Sequence, residues 1–126
     1  MDPQGIDHLV LTVADTERTC AFYERVVGAE RVEFDGRLAL RIGEQKVNLH
    51  VAGEEYDPHA TEPVPGSGDF CVLVSTPIEE VERKLDEEGV EVIHGPTEKV
   101  GTHGPLRSVY VRDPDGNLVE LAEPRY

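Results

Sequence analysis

No stretch of this sequence holds 18 consecutive apolar residues, which excludes a transmembrane helix. No basic segment followed by an apolar stretch opens the chain, so no signal peptide is expected. Cysteine is scarce: only Cys20 and Cys71 occur, and neither belongs to a CxxC pattern. Free, buried thiols in a reducing, cytoplasmic compartment are expected rather than a disulfide. Basic residues are also few. Twelve Lys and Arg stand against 26 Asp and Glu, giving a net charge of −14. Phosphate contacts need a basic surface, so nucleic acid is disfavoured as a partner. Lysine is the scarcer cation, with only Lys46, Lys84 and Lys99. An acidic, lysine-poor surface fits life in high salt, where self-repulsion is screened, and equally an ordinary acidic cytosolic protein.

The chain does have repetition. Its 126 residues suffice for a single domain with one core. "GIDHLVLTVADTERTCAFYERVVGAERV" from Gly5 aligns without a gap to "GSGDFCVLVSTPIEEVERKLDEEGVEVI" from Gly66. Each copy reads as strand, short turn, amphipathic helix, glycine stop and strand. Gly28 and Gly89 stand where a helix C-terminus favours a left-handed residue. Asp15 or Thr16, and Ser75 or Thr76, are the expected N-caps. "LALRIGEQKVNL" from Leu38 then pairs with "YVRDPDGNLVEL" from Tyr110, each a hairpin around a glycine-containing turn. The second copy carries extra residues in "HGPTEKVGTHGPL", expected to form a longer loop. The expected architecture is α+β, with two βαβββ modules over about 5–52 and 66–123. The Pro-, Gly- and acid-rich stretch around 53–65 is the linker.

Strand alternation assigns faces. Leu9, Leu11 and Val13 oppose Ile6, His8, Val10 and Thr12. Val47, Leu49 and Val51 oppose Lys46, Asn48 and His50. Phe70, Val72 and Val74 oppose Asp69, Cys71 and Leu73. Val119 and Leu121 oppose Leu118, Glu120 and Ala122. One face is almost wholly apolar and should pack under the helices. The other carries His8, Asn48 or His50, Asp69 and Glu120. A single His or Glu on a strand is more often a hydrogen-bonded or solvated residue than a ligand. The repeat changes that balance: His8 and Asp69 are equivalent positions, as are Asn48 and Glu120. Imidazole, amide oxygen and carboxylates suit Mn²⁺, Fe²⁺, Ni²⁺ or Zn²⁺ rather than a thiolate site. Ser108 and Tyr110 share a face before the "DPDG" turn and are candidates to line a substrate cavity. Arg107 and the 101–105 loop with His103 could cover it. His59 and His94 read as surface residues.

"IDHLVLTVADTERTCAFYERVVGAE" and "SVYVRDPDGNLVELAE" closely resemble the vicinal oxygen chelate superfamily, which includes glyoxalase I, bleomycin-binding proteins, fosfomycin resistance proteins and extradiol dioxygenases. The resemblance runs from Gly5 to Glu123, so the whole chain reads as one such domain. "QKVNLHVAG" and "RDPDGNLVEL" look most like the glyoxalase-domain-containing, lactoylglutathione-lyase-like subgroup. The resemblance implies an open, cup-shaped mixed sheet with the helices outside, around a divalent ion. Its ligands would lie on the first and last strands of each module: His8 and Glu120, with Asp69 where most metal-dependent members have His. Asn48, or His50 on the same face, takes the remaining place. The metal set is then His8, His50, Asp69 and Glu120, with Glu120 and His8 catalytic and Asn48, Ser108, Tyr110 and Arg107 contacting substrate. The implied chemistry is that of a lyase, isomerase or thiol transferase, with an enediolate or alkoxide stabilised on a small vicinal-oxygen substrate. The alternatives within the family are a metal-free drug-binding protein and a small extradiol-type dioxygenase. Such short two-module chains often form homodimers.

Overall fold

The computed structural model describes residues 1–126 and divides into two compact units, Met1–Pro65 and Gly66–Tyr126. In the first, β1 (His8–Val13) leads into α1 (Thr16–Phe22), followed by β2 (Glu30–Phe34), β3 (Arg37–Ile42) and β4 (Gln45–Val51). Asp15 caps α1: its carboxylate accepts the Arg18 amide at 3.0 Å. The last turn widens into a π-helix over Tyr23–Val27 and stops at Gly28, which takes the left-handed conformation at φ 83°. The strands form one sheet in the order β1-β4-β3-β2, with β1 and β4 parallel and the other pairs antiparallel. Leu11, Val13, Leu40, Val47 and Leu49 bury one face together with Cys20, Phe22, Tyr23 and Val26. Each such side chain contributes roughly 1.5–3 kcal/mol by leaving water.

The second unit repeats the plan: β5 (Asp69–Leu73), α2 (Ile78–Glu87), β6 (His94–Val100), β7 (Pro105–Arg112) and β8 (Leu118–Pro124). Its sheet order is β5-β8-β7-β6, again with the first pair parallel. Ile78, Val81 and Leu85 of α2 are buried, as are Val109, Val111, Val119 and Leu121 on the apolar strand face. Both units are therefore βαβββ, as the repeat implies.

Three local expectations are corrected. Residues 94–100 are not loop but strand, pairing with β7 from His94↔Tyr110 to Val100↔Pro105. The Gly95-Pro96 step that reads as a breaker is absorbed in a bulge between His94 and Thr97. A Cβ on Gly95 would lie 2.4 Å from the Ser108 carbonyl oxygen, so the bulge needs glycine. Neither Ser75 nor Thr76 caps α2. Pro77 holds that position, and the Glu123 carboxylate accepts the Ile78 amide at 2.6 Å. Finally, Cys20 is buried but Cys71 is exposed, because β5 is an edge strand.

The "DPDGN" turn sets the start of β8. Asp113 Oδ1 accepts the Asp115 and Asn117 amides, each at 2.9 Å, and its Oδ2 accepts Asn117 Nδ2 at 2.8 Å. Asn117 Oδ1 in turn accepts the Gly68 amide at 2.7 Å, tying β8 to the start of β5. Gly116 turns the chain at φ 88°.

Candidate functional site

Each of the two units carries a polar strand face. In the second unit, Cys71 and Tyr110 flank Glu120 on either side, each in direct register with it. Residues in register share a face, so Cys71, Glu120 and Tyr110 form one polar row. Ser108, two residues before Tyr110, joins the same face. Its hydroxyl donates to Glu120 Oε2 at 2.6 Å and is fully buried. Tyr110 and Cys71 stand beside that carboxylate, in register with it, and feel its charge. One hydroxyl thus holds Glu120, with a phenol and a thiol as its neighbours.

This crowding acts on those neighbours. Loss of water and the negative charge of Glu120 push the Tyr110 hydroxyl up to about 12. Desolvation, with the same carboxylate, pushes the Cys71 thiol up to about 11. Both groups therefore stay protonated, and stay donors, at neutral pH. The Tyr110 ring is further placed by His94, with centroids 5.5 Å apart, and by Lys99 Nζ at 5.7 Å from the ring centre. Asp69 stands opposite Leu118, two register steps from the Cys71–Glu120 pair, and is exposed.

In the first unit, His8 pairs with Lys46, Val10 with Asn48, and Thr12 with His50. His8 Nδ1 lies 2.8 Å from Asp7 Oδ2. The hydrogen bond from His8 holds the Asp7 carboxyl below its usual range. With Nδ1 donating, Nε2 is the lone-pair nitrogen. Asn48 Oδ1 and His50 Nδ1 are buried and have no hydrogen-bond partner. His50 packs edge-on against Tyr56 at 5.5 Å, and the Arg37 guanidinium lies over that same ring at 3.6 Å. His50 stands opposite Thr12, four residues beyond His8, about 13 Å along the strand. Asn48 is half that distance away and is the nearer of the two to His8.

The structure brings Ser108, Tyr110 and Glu120 together, with Asp69 on the same strand face. It separates Arg107 from them. Arg107 alternates to the helix-covered face, where Nη1 meets Glu79 Oε1 of α2 at 2.9 Å. An arginine flanked by Leu106 and Ser108 must point away from Ser108, so its expected place over the cavity is corrected. Cys71 was not among the expected site residues. Its signal was present: strand alternation puts it between Asp69 and Leu73 on the Glu120 face.

No helix is long and apolar enough to cross a membrane. Residues 5–121 match the sequence model of the Glyoxalase/Bleomycin resistance protein/Dioxygenase superfamily. Virulence protein STM3117 of Salmonella typhimurium is 47% identical over 119 residues, covering 94% of this chain and 83% of that protein. Its crystal structure superposes with a TM-score of 0.95 at 46% identity, over 98% of each chain. Glyoxalase domain-containing protein RDO1 of Mycosarcoma maydis is 45% identical over 120 residues, 94% of this chain and 68% of that one. The crystal structure of a lactoylglutathione lyase from Agrobacterium tumefaciens has a TM-score of 0.74 at 27% identity, covering 98% of this chain and 96% of that one. With a family match over nearly its whole length and the paired βαβββ units of that fold, the chain belongs to the Glyoxalase/Bleomycin resistance protein/Dioxygenase superfamily.

Proposed function

We propose that this chain is a glyoxalase-like metalloenzyme acting on a small substrate with two neighbouring oxygens, as a lyase, isomerase or thiol transferase. Glu120 is its proton carrier. The supporting observation is the setting of Glu120: a carboxylate held by the buried Ser108 hydroxyl at 2.6 Å and flanked in register by Tyr110 and Cys71. Such a base is held in one orientation yet keeps acceptor capacity, since a carboxylate offers about four lone-pair sites. Ser108 orients it, and Tyr110, beside it in register, can meet a substrate oxygen.

The donors present suit a divalent ion. In the first unit, Asp7 orients His8 as carboxylates do at metal-binding histidines, and Asn48 Oδ1 is a buried acceptor lacking a partner. In the second unit, Asp69 and Glu120 offer carboxylate oxygens. When bound, the ion supplies Lewis acidity for negative charge developing on substrate oxygens. Mn²⁺, Fe²⁺, Ni²⁺ and Zn²⁺ all accept such nitrogen and oxygen donors. By its scarce, unpaired cysteines we place the protein in a reducing, cytoplasmic compartment, and by the family resemblance we take it as a homodimer, which a sizing measurement checks.

A second reading is a metal-free binding module of the bleomycin-resistance type. Metal analysis of protein purified without chelator or His tag separates the two. Stoichiometric ion, lost in both His8→Ala and Glu120→Ala, is the expected result. No ion and no melting shift on metal addition overturns the enzyme reading and leaves the binder.

A further inference from the structure

A cleft of about 280 Å³ opens in the second unit beside the Glu120 row. Cys71 and Leu73 of β5 form one side. Leu106 of β7 and the ring of Tyr126 form another, and Thr102 and His103 complete the rim. Cys71 belongs to both places: it lines the cleft and stands in direct register with Glu120. Leu106 shares a strand face with Ser108, so the cleft and the Glu120 row lie on the same face of the sheet, with Cys71 common to both.

The walls are apolar and held. Leu73 and Tyr126 are 54% and 60% exposed, so folding leaves their apolar surface in water. The Tyr126 ring lies so close to Gly104 that a Cβ there would meet it at 2.6 Å. The Arg125 amide donates to the Pro105 carbonyl at 2.9 Å, fixing the segment that carries Tyr126. No Lys or Arg lines the cleft, and the chain has a net charge of −14. A carboxylate- or phosphate-bearing group would find no permanent cation there, only the Thr102 hydroxyl and the His103 imidazole at the rim.

We propose that this cleft is a subsite for an uncharged, apolar substituent, aryl or branched alkyl, of the molecule whose oxygens meet Glu120. The inference rests on the proposed function for its reactive end and on the cleft alone for its apolar end. It names the substrate class as a hydrophobic oxygenated compound rather than one carrying a charged peptide-like thiol.

Two measurements test the two ends separately. Benzyl alcohol, which lacks adjacent oxygens, is titrated while the Leu73 and Leu106 methyl signals are followed by NMR. Saturable shifts of both are expected, with the Leu106 shift lost in Leu73→Asp. Leu73 is exposed, so that variant keeps the fold; Thr102→Trp, which fills the cleft from its rim, is the second. No saturable shift in the wild-type protein overturns the subsite. 1-Phenyl-1,2-ethanediol and propane-1,2-diol, which are uncharged, share adjacent oxygens and differ in phenyl against methyl, are then compared by calorimetry. The phenyl diol should bind roughly tenfold or more tightly from burial of the ring, an advantage that Leu73→Asp removes. Equal binding of the two diols overturns the substrate class. Binding of benzyl alcohol with neither diol bound supports the subsite and overturns the vicinal-oxygen reading.

Discussion

Ser108 donates its buried hydroxyl to Glu120 Oε2 at 2.6 Å, across the antiparallel pair that carries the two strongest site candidates of the second unit. A hydrogen bond to a charged acceptor is worth more than a neutral one. Ser108→Ala removes it and leaves a small void at a fully buried position. The expected loss is about 1.5–3 kcal/mol, read by urea unfolding. Ser108→Thr, which keeps the hydroxyl, should restore the hydrogen bond at some cost in packing. An unchanged midpoint in Ser108→Ala would show that the bond contributes nothing net.

Cys71 is exposed yet should react slowly. A thiol pushed up to about 11 carries far less thiolate at neutral pH than an ordinary cysteine. Allowing for the greater nucleophilicity of a more basic thiolate, alkylation should run roughly tenfold to a hundredfold slower than at an unperturbed exposed thiol. Part of the shift comes from the Glu120 charge, so Glu120→Gln should speed the reaction. Mass spectrometry of iodoacetamide-treated protein distinguishes Cys71 from the buried Cys20. Rapid modification of Cys71 in the wild-type protein would contradict the arrangement.

Tyr110 gives a pH dependence with a definite sign. Its hydroxyl is pushed up to about 12 in the fold, while an unfolded tyrosine titrates near about 10. The folded chain therefore holds this proton after the unfolded chain has lost it. The stability it contributes is fully present below about pH 10 and is lost as pH rises toward 12. Tyr110→Phe should flatten this part of the alkaline decline in urea stability. A difference titration against that variant should show one phenolate appearing near the upper end of the window. Identical alkaline profiles for the two proteins would refute the link.

Much of this was legible in the sequence because the repeat and strand alternation are both periodic. The gapless match from Gly5 to Gly66 fixed two βαβββ units, and period two put Ser108, Tyr110 and Glu120 on one face. What escaped did so for local reasons. Gly95-Pro96 reads as a breaker, yet pairing on both sides carries β6 through a bulge. Cys71 follows the alternation, but the tendency of free thiols to be buried pointed elsewhere, and only sheet order shows that β5 is an edge. Arg107 was read by charge rather than by its place between Leu106 and Ser108, and Glu79 on α2 claims it. Tyr56 lies in an aperiodic stretch, so nothing in the pattern announced its packing on His50 and Arg37.

The charge balance predicts salt dependence. With a net charge of −14, the folded chain carries self-repulsion that counterions relieve. The screening length falls from about 10 Å at 0.1 M salt to about 3 Å at 1 M. Ion pairs such as Arg31 with Glu17 and Glu24, and Arg107 with Glu79, are exposed and lose strength over the same range. Repulsion among 26 acidic side chains outweighs them. The melting temperature should therefore rise from low salt to molar KCl. A flat curve would remove the high-salt reading and leave an ordinary acidic protein; a falling one would mean that the ion pairs dominate.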